Sequence, residues 1–321
     1  MDRRLLRPEF DRLEEEKKRG LMEDIAARYG LAFRGLETFA HWGWGLTTGL
    51  FERDGAQFTF VPGDTVAIGW DRFAQGMDED TRSDIRQDLD AFGYEGAVEE
   101  FLHEVLLPPR KITVGPLLAE RTLREIGWER VEEDDPRFTA HPDWVEEFER
   151  FTRSDLVSLN LVGCARFNRA GEGSQIHLYH DMTHAELLAM LRGDGYALPT
   201  AEEWAYLSGG GCRTVYPWGD SFDYTMYLHH YGWVTGRRKK AKAHTMELPN
   251  GFGLSIAYDP YRQEVTEDGL LCGGDGGCNI CGGAGAAAGF LPCSPHYRPE
   301  EIEAGVLDID YNFCRRILRI S

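Results

Sequence analysis

Residues 8–28 place isolated apolar side chains among charged ones, which predicts a surface helix or a pair of helices. We expect the helix to end at Gly30, because glycine is the residue most often found just past a helix C-terminus. The pattern changes after this point. The sequence therefore predicts a helical segment at 1–31 and one larger domain at 32–321.

Short runs of alternating apolar and polar residues follow this helix. They are rich in β-branched and aromatic side chains and are separated by Gly and Asp, which is typical of strands joined by tight turns. The runs LTTGLFE, QFTFVP and TVAIGW therefore predict strands, with turns at Asp54-Gly55 and Gly63-Asp64.

The pattern is less regular further along the chain. Residues 76–107 are charged and helical in pattern, and RKITVGPLLA at 110–119 predicts another strand. Residues 129–156 are acidic and predict helical or irregular structure, while 311–320 predict a closing strand. Long connections between few regular elements indicate loops that are themselves packed and functional.

Two helix starts carry the same local signal. Thr183 and Thr200 are each followed three residues later by a glutamate, Glu186 and Glu203, just ahead of apolar residues. This spacing is typical of a capping box, in which threonine and glutamate side chains satisfy the first free backbone N–H groups. We therefore expect one helix to begin after each threonine.

The composition is that of a globular protein with an acidic surface. A hydrophobic content of 42% and an aromatic content of 12% suffice for a core in a chain of 321 residues. The net charge of −19 argues against nucleic acid or an anionic membrane surface as the main partner, since both require a basic footprint. A basic protein or peptide partner is compatible with this charge.

The chain shows no signal for export or membrane insertion. No apolar run approaches the ~18 residues of a membrane-spanning helix, and the start MDRRLLRPEF lacks the apolar stretch of a signal peptide. We therefore expect a cytoplasmic protein. Its seven cysteines, an odd number, favour reduced thiols or metal ligation over a disulfide framework.

A glycine-rich segment at 271–292, LCGGDGGCNICGGAGAAAGFLP, is the most distinctive part of the chain. Glycine at this density is tolerated where the backbone must adopt positive φ or pass close to another group. The segment holds Cys272, Cys278 and Cys281, and Cys293 follows it. A glycine-rich surface loop with incidental cysteines remains the alternative interpretation.

Several distinctive motifs follow one another along residues 56–321. They are FTFVPGDTVAIGW (58–70), ALPTAEEWAYLSGGG (197–211), YPWGD (216–220), PNGFGL (249–254), LCGGDGGC (271–278) and NFCRRILRI (312–320). In this order they resemble the formylglycine-generating enzyme (sulfatase-modifying factor) family, whose superfamily includes the catalytic domain of ergothioneine synthases. The resemblance is strongest over 180–280.

The resemblance implies an irregular, loop-rich α+β fold related to C-type lectins. It also implies an enzyme in which two cysteines bind copper and dioxygen oxidises a peptidyl cysteine. Cys278 falls on the first of these cysteines. The family's second cysteine lies five residues on, whereas Cys281 lies three on, so Cys281 matches it through a two-residue deletion.

Three further positions depart from the family pattern. In place of the family's calcium-binding Asn-Val-Trp-Glu-Trp turn the chain has RQEVTED, which keeps the glutamate as Glu264 but not the asparagine. Glu264 would therefore be the one calcium ligand of this turn that remains. Asp275 replaces the serine of the active segment, and GGAGAAAG replaces the arginines that follow the second cysteine.

The pair Cys278 and Cys281 is chemically able to hold a soft metal ion, because thiolates select Cu(I), zinc or iron–sulfur clusters over hard ions. With Cys272 and Cys293, a closed four-thiolate zinc site is an alternative. A redox-active Cys-x-x-Cys is another, although it requires a βαβ context and a helix N-terminus. Asp275 and Trp218 are candidate substrate contacts, and packed aromatic residues are the alternative interpretation of Trp218.

Other polar residues are weaker candidates. His180, His184 and Glu186 form an H-x3-H-x-E pattern similar to an iron-binding one, but the capping box at Thr183 would place His180 before the helix. We interpret His229, His230 and His296 as loop or core histidines, and the basic run 237–242 as a solvated loop or the rim of a substrate site.

Two functions follow from the sequence. The first is a copper-thiolate oxidase that uses dioxygen to oxidise a cysteine of a peptide or protein, or a small thiol. A non-haem iron oxidase is the alternative to copper. The second is a non-catalytic binding or inhibitor protein of immunity type on the same scaffold, suggested by the altered calcium turn, the replaced arginines and the acidic surface.

Overall fold

The computed structural model describes residues 2–171, 173–228 and 243–321, so the predictions for His229, His230 and the basic run 237–242 lie outside the described residues. The helices are α1 (Glu15–Tyr29), α2 (Glu79–Ala91), α3 (Val98–Val105), α4 (Pro136–Thr139), α5 (Pro142–Thr152), α6 (His184–Gly193), α7 (Ala201–Gly209), α8 (Cys278–Cys281) and α9 (Ala286–Gly289). The strands are β1 (Ala32–His41), β2 (Trp44–Arg53), β3 (Ala56–Val61), β4 (Asp64–Ile68), β5 (Arg110–Val114), β6 (Leu117–Glu120), β7 (Arg124–Glu125), β8 (Trp128–Val131), β9 (Ser158–Leu161), β10 (Ala165–Ala170), β11 (Gly173–Tyr179), β12 (Gln263–Val265), β13 (Leu270–Cys272), β14 (Glu300–Glu301), β15 (Asn312–Cys314) and β16 (Ile317–Arg319).

This mixture of helices and mainly antiparallel strands is an α+β fold, as expected. Its main sheet has the order β1-β2-β3-β6-β16. Helix α1 packs on β1 and β2, and it ends at Gly30, whose φ of 68° is the left-handed conformation that glycine adopts without strain. The predicted helix end is confirmed. Leu5, Phe10 and Met22 are buried in the same core as the sheet, so residues before 32 pack on the domain.

A second sheet, in the order β8-β11-β10-β9, has a hydrophobic core of its own together with α4 and α5. Residues 129–156 were expected to be helical or irregular, and they do contain α4 and α5, but β8 runs through their start. The buried side chains of this core are Val131, Phe138, Phe148, Phe151, Ala165, Phe167, Ile176 and Leu178.

A third sheet, in the order β14-β13-β12-β15-β7, joins segments that are far apart in sequence. An ion pair crosses its interior: Arg315 Nε lies 3.0 Å from Glu264 Oε2, and Arg315 Nη2 lies 3.1 Å from Glu264 Oε1. Both side chains are almost fully buried. A buried charge is tolerated only when it is paired and hydrogen-bonded, so each of these residues requires the other.

Two predicted strands are each split in the structure. Residues 110–119 form β5, which pairs with β4, and β6, which pairs with β3 and β16. Gly115 and Pro116 separate them, because proline has no N–H to donate to a continuous ladder. Residues 311–320 likewise form β15 and β16, which belong to different sheets.

Both capping boxes are confirmed. The Thr183 side chain accepts a hydrogen bond from the Glu186 backbone N–H and the Thr200 side chain accepts one from Glu203, while each glutamate accepts the threonine backbone N–H. Asn250 of the PNGFGL motif fixes the end of α7, since its Nδ2 donates to the carbonyl oxygens of Leu207 and Ser208 at 2.8 and 3.2 Å. These polar groups satisfy helix ends that the core would otherwise leave unpaired.

Within the described residues, no helix combines the length and the apolar character needed to cross a bilayer.

Candidate functional site

The glycine-rich segment approaches the chain at 260–262 so closely that side chains are excluded. A Cβ on Gly277 would overlap the Tyr261 ring, and a Cβ on Gly274 would lie 2.7 Å from the carbonyl oxygen of Pro260. Gly277 also has φ of +75° and precedes the single turn of α8. The glycines therefore serve close backbone packing and positive φ, and this packing is what presents α8 at the surface.

Cys278 and Cys281 are the first and last residues of α8, and both side chains are exposed. Residues three apart on a helical turn lie on the same face, so the two thiols share one side of α8. The Tyr261 hydroxyl lies 3.3 Å from the Cys281 sulfur, within hydrogen-bond distance for sulfur. The cysteine pair is thus open to solvent, and one of its two thiols contacts the side chain of Tyr261.

Asp275 is the buried charge of this site. It is 4% exposed, its Oδ2 accepts the backbone N–H of Asn279 at 3.1 Å, and its carbonyl oxygen accepts that of Cys278 at 3.2 Å. Its Oδ1 is buried without a hydrogen-bond partner among the described residues. Burial raises the pKa of this carboxyl group above its ordinary value.

The same surroundings disfavour the thiolate of Cys278. Partial desolvation raises the pKa of this thiol, and the negative charges of Asp275 and Glu300 raise it further. Burial, with the same two carboxylates, raises the pKa of the neighbouring Tyr297 phenol to about 12. The Cys278 thiol therefore keeps its proton until a bound group that prefers the thiolate displaces it.

The weaker metal candidates lie elsewhere. Cys272 and Cys293 are buried, and burial raises the pKa of each thiol well above its ordinary value. Cys272 lines a cavity of about 440 Å³ together with Trp204 and Tyr297. Glu264 is occupied by its ion pair with Arg315. A carboxylate engaged on both oxygens by a buried guanidinium does not offer a free ligand for calcium.

The described part of the chain contains no cluster of three or more His, Cys, Asp or Glu side chains arranged to hold a metal ion. Cys272 and Cys293 are thus not assembled with the exposed pair into a four-thiolate site. The exposed pair itself offers two soft sulfur donors on one helical face, and this donor set fits Cu(I). Cys278 and Cys281 are the residues that would hold copper, and copper binding stays a prediction.

Trp218 sits in an aromatic cluster. Its ring stacks on Tyr216 with centroids 4.9 Å apart, it contacts Phe222 at 6.0 Å, and its Nε1 donates to the carbonyl oxygen of Ser221. Tyr216 in turn donates to the carbonyl oxygen of Ala287 in α9, which contacts α8. These contacts give Trp218 a packing role, and its contact with substrate stays a prediction.

The histidine patterns have structural explanations. Thr183 is the N-cap of α6, so His180 precedes the helix and does not share a helical face with His184, whose Nε2 lies 2.8 Å from the Thr266 carbonyl oxygen. His296 is buried and its Nδ1 accepts the Gly69 N–H at 3.1 Å. Burial lowers the pKa of His296 to about 4, so this core histidine is neutral.

Sequence reasoning did not identify Tyr261, Tyr297 or Glu300 as part of this site. They reach the cysteine pair through the packing of 260–262 and 294–300 around α8, and no local motif marks them. The only sequence signal for these contacts was the density of glycines at 271–292. Glycine is required where another part of the chain packs so closely that no side chain fits, so the glycines indicate that such a neighbour exists.

A comparison of the chain with models of protein families finds no match, and a search of curated proteins finds none either. The resemblance to the formylglycine-generating enzyme family therefore stays a prediction based on the ordered motifs.

Proposed function

We propose that this protein is a divergent oxidase of the formylglycine-generating type, in which Cys278 and Cys281 hold copper and dioxygen oxidises a cysteine or other thiol of the substrate. The observation that carries the proposal is the exposure of both thiols on the single turn of α8, with the Tyr261 hydroxyl 3.3 Å from the Cys281 sulfur. Bound copper would supply the activation of dioxygen.

The protein residues contribute position and protonation. Packing of Gly277 on Tyr261 fixes the turn that carries both thiols, and the hydrogen bond between the Tyr261 hydroxyl and the Cys281 sulfur orients the Cys281 side chain. Partial desolvation, together with the charges of Asp275 and Glu300, raises the pKa of the Cys278 thiol, so the thiolate develops when a soft cation compensates its charge. A substrate thiol approaches from the solvent side of α8, which is open.

Oxygen consumption tests this proposal. Copper-loaded protein should consume dioxygen in the presence of a cysteine-containing peptide or a small thiol, and Cys278→Ser and Cys281→Ser should each abolish the consumption above that of free copper. Cys164→Ser is the matched control, because Cys164 is a partly exposed cysteine in the turn between β9 and β10. Equal consumption by wild type and Cys278→Ser would contradict the proposal.

A binding or inhibitor protein of immunity type is the second candidate, and an open groove of about 720 Å³ favours it. The groove combines acidic side chains, among them Glu301, Glu303 and Asp308, with the exposed apolar residues Val306 and Tyr311. Such a surface complements a basic peptide or protein segment.

Calorimetry separates the two candidates. If the groove is the functional site, a Lys/Arg-rich peptide should bind equally well to wild type and to the Cys278→Ser/Cys281→Ser double variant, and Glu303→Gln should weaken it. An acidic peptide of equal length is the control. Failure of the basic peptide to bind wild type would contradict this second candidate.

A further inference from the structure

Strand β9 forms one edge of the second sheet and leaves part of its backbone facing outward. In its pairing with β10, Leu159 lies opposite Phe167 and Leu161 opposite Ala165. The Val157 carbonyl oxygen accepts the Arg169 N–H at 2.9 Å, in the same register. Because backbone direction alternates along a strand, Ser158 and Asn160 of β9 direct their N–H and C=O groups away from the sheet.

The side chains along this edge are apolar and uncovered. Leu156, Val157 and Val162 are 51%, 76% and 79% exposed. The segment 156–162, LVSLNLV, contains neither a charged residue nor a proline. Edge strands that remain unpaired are usually protected by such residues, and β8 at the opposite edge carries charged side chains. The β9 edge therefore lacks the charged residues and prolines that usually prevent an edge strand from pairing with a strand of another chain.

The segment is complementary to itself. When two copies run antiparallel around Leu159, Ser158 faces Asn160 and Val157 faces Leu161, so polar meets polar and apolar meets apolar. The exposed Leu156 and Val162, which flank β9, then come together at the two ends of the paired strands. The outward backbone groups at 158 and 160 then form a hydrogen-bonded pair. Shifting the centre by one residue places Asn160 opposite Leu156, or Ser158 opposite Val162.

We propose that β9 is the interface of a homodimer in which two copies of this chain pair antiparallel around Leu159 and join their second sheets. A two-fold interface must be complementary to itself, whereas a surface for a different partner need not be. Charge also selects this segment, since chains of net charge −19 repel each other and 156–162 brings no like charges together.

Sedimentation velocity over about 1 μM to about 1 mM tests the association. Wild type should shift from the 36.4 kDa monomer towards twice that mass as concentration rises. Asn160→Pro should remain monomeric, because its missing N–H belongs to the outer edge and the ladder to β10 is kept. Val162→Lys should also remain monomeric, whereas Met190→Lys, which adds the same charge at an exposed apolar site on α6, should dimerise.

A wild type that stays monomeric throughout would overturn the proposal, and so would a dimer that survives in Asn160→Pro. Neither result bears on oxygen consumption, so the test is independent of the proposed oxidase.

Cross-linking tests the register. In the Cys164→Ser/Cys278→Ser/Cys281→Ser background, which removes the two exposed thiols and the one in the turn after β9, Leu159→Cys should form an intermolecular disulfide on mild oxidation. Residue 159 faces its own copy at a spacing of about 4.5 Å between Cα atoms. Val157→Cys, although more exposed, should not, since it faces Leu161. Preferential cross-linking of Val157→Cys would contradict the proposed pairing.

Discussion

The Tyr261 hydroxyl and the Cys281 sulfur lie 3.3 Å apart, which couples the chain before β12 to the single turn of α8. This hydrogen bond is the largest of the effects that raise the pKa of the Tyr261 phenol to about 12, and partial burial adds to it. Cys281 is thus held by a residue twenty positions away in sequence.

We expect Cys281→Ala to lower the pKa of the Tyr261 phenol towards its ordinary value of about 10, because the hydrogen bond and the neighbouring sulfur are both removed. Tyrosine Cζ chemical shifts followed against pH by NMR measure this, with the resonance assigned through Tyr261→Phe. Cys164→Ala should leave the titration unchanged. A Tyr261 pKa that stays near 12 in Cys281→Ala would show that the sulfur is not its cause.

The two glycines Gly277 and Gly283 allow close packing to be separated from backbone strain. Both have positive φ, but a Cβ on Gly277 would overlap the Tyr261 ring, whereas a Cβ on Gly283 meets nothing within 4 Å. Gly283→Ala should lower the free energy of unfolding by about 1–2 kcal/mol through strain alone. Gly277→Ala should cost about 1–3 kcal/mol more through overpacking. Denaturant unfolding measures both, and equal losses would contradict the close approach.

Asp275→Asn should lower the pKa of the Cys278 thiol, because it removes a negative charge that disfavours the thiolate while keeping an oxygen that can accept the Asn279 N–H. The pH profile of Cys278 alkylation should therefore shift to lower pH, with faster reaction at neutral pH. Iodoacetamide kinetics in the Cys281→Ser background measure the shift.

The exposed Glu301 provides the matched control, since Glu301→Gln removes an equal charge next to Glu300. If Asp275→Asn and Glu301→Gln shift the alkylation profile equally, the pKa of the Cys278 thiol is raised by the acidic surface as a whole and not by Asp275 in particular.

Glu264→Gln should destabilise the fold by about 3–5 kcal/mol, because it leaves the buried Arg315 guanidinium without its counter-charge. The control is Glu149→Gln, which breaks the exposed pair with Arg153 and should change stability by less than about 1 kcal/mol. Urea unfolding gives both values. A small loss in Glu264→Gln would mean that Glu264 is free to act as a ligand.

The elements that the sequence predicted are those set by local chemistry. The helix starts at Thr183 and Thr200 and the helix end at Gly30 depend on contacts within a few residues, and each is confirmed. The spacing of Cys278 and Cys281 was visible in the sequence, but the helical turn α8 that carries them was not predicted.

The missed features depend on contacts between distant segments. Tyr261 reaches Cys281 only because glycines let the two segments touch, and nothing near Tyr261 in sequence indicates this. The second sheet had a local signal, since Phe167, Ile176 and Leu178 follow the alternation of half-buried strands, but no strand was predicted over 158–179. Strand β8 falls in the acidic stretch 129–156, which was expected to be helical or irregular.

Anaerobic titration with Cu(I) against a competing chelator tests the central claim most directly. We expect wild type and Cys164→Ser to bind one Cu(I) per chain, and Cys278→Ser and Cys281→Ser each to lose this binding. Tyr261→Phe should retain it, because its oxygen supports Cys281 but is not a soft ligand. Wild type that binds no stoichiometric Cu(I), or Cys278→Ser that binds it as tightly as wild type, would contradict the account.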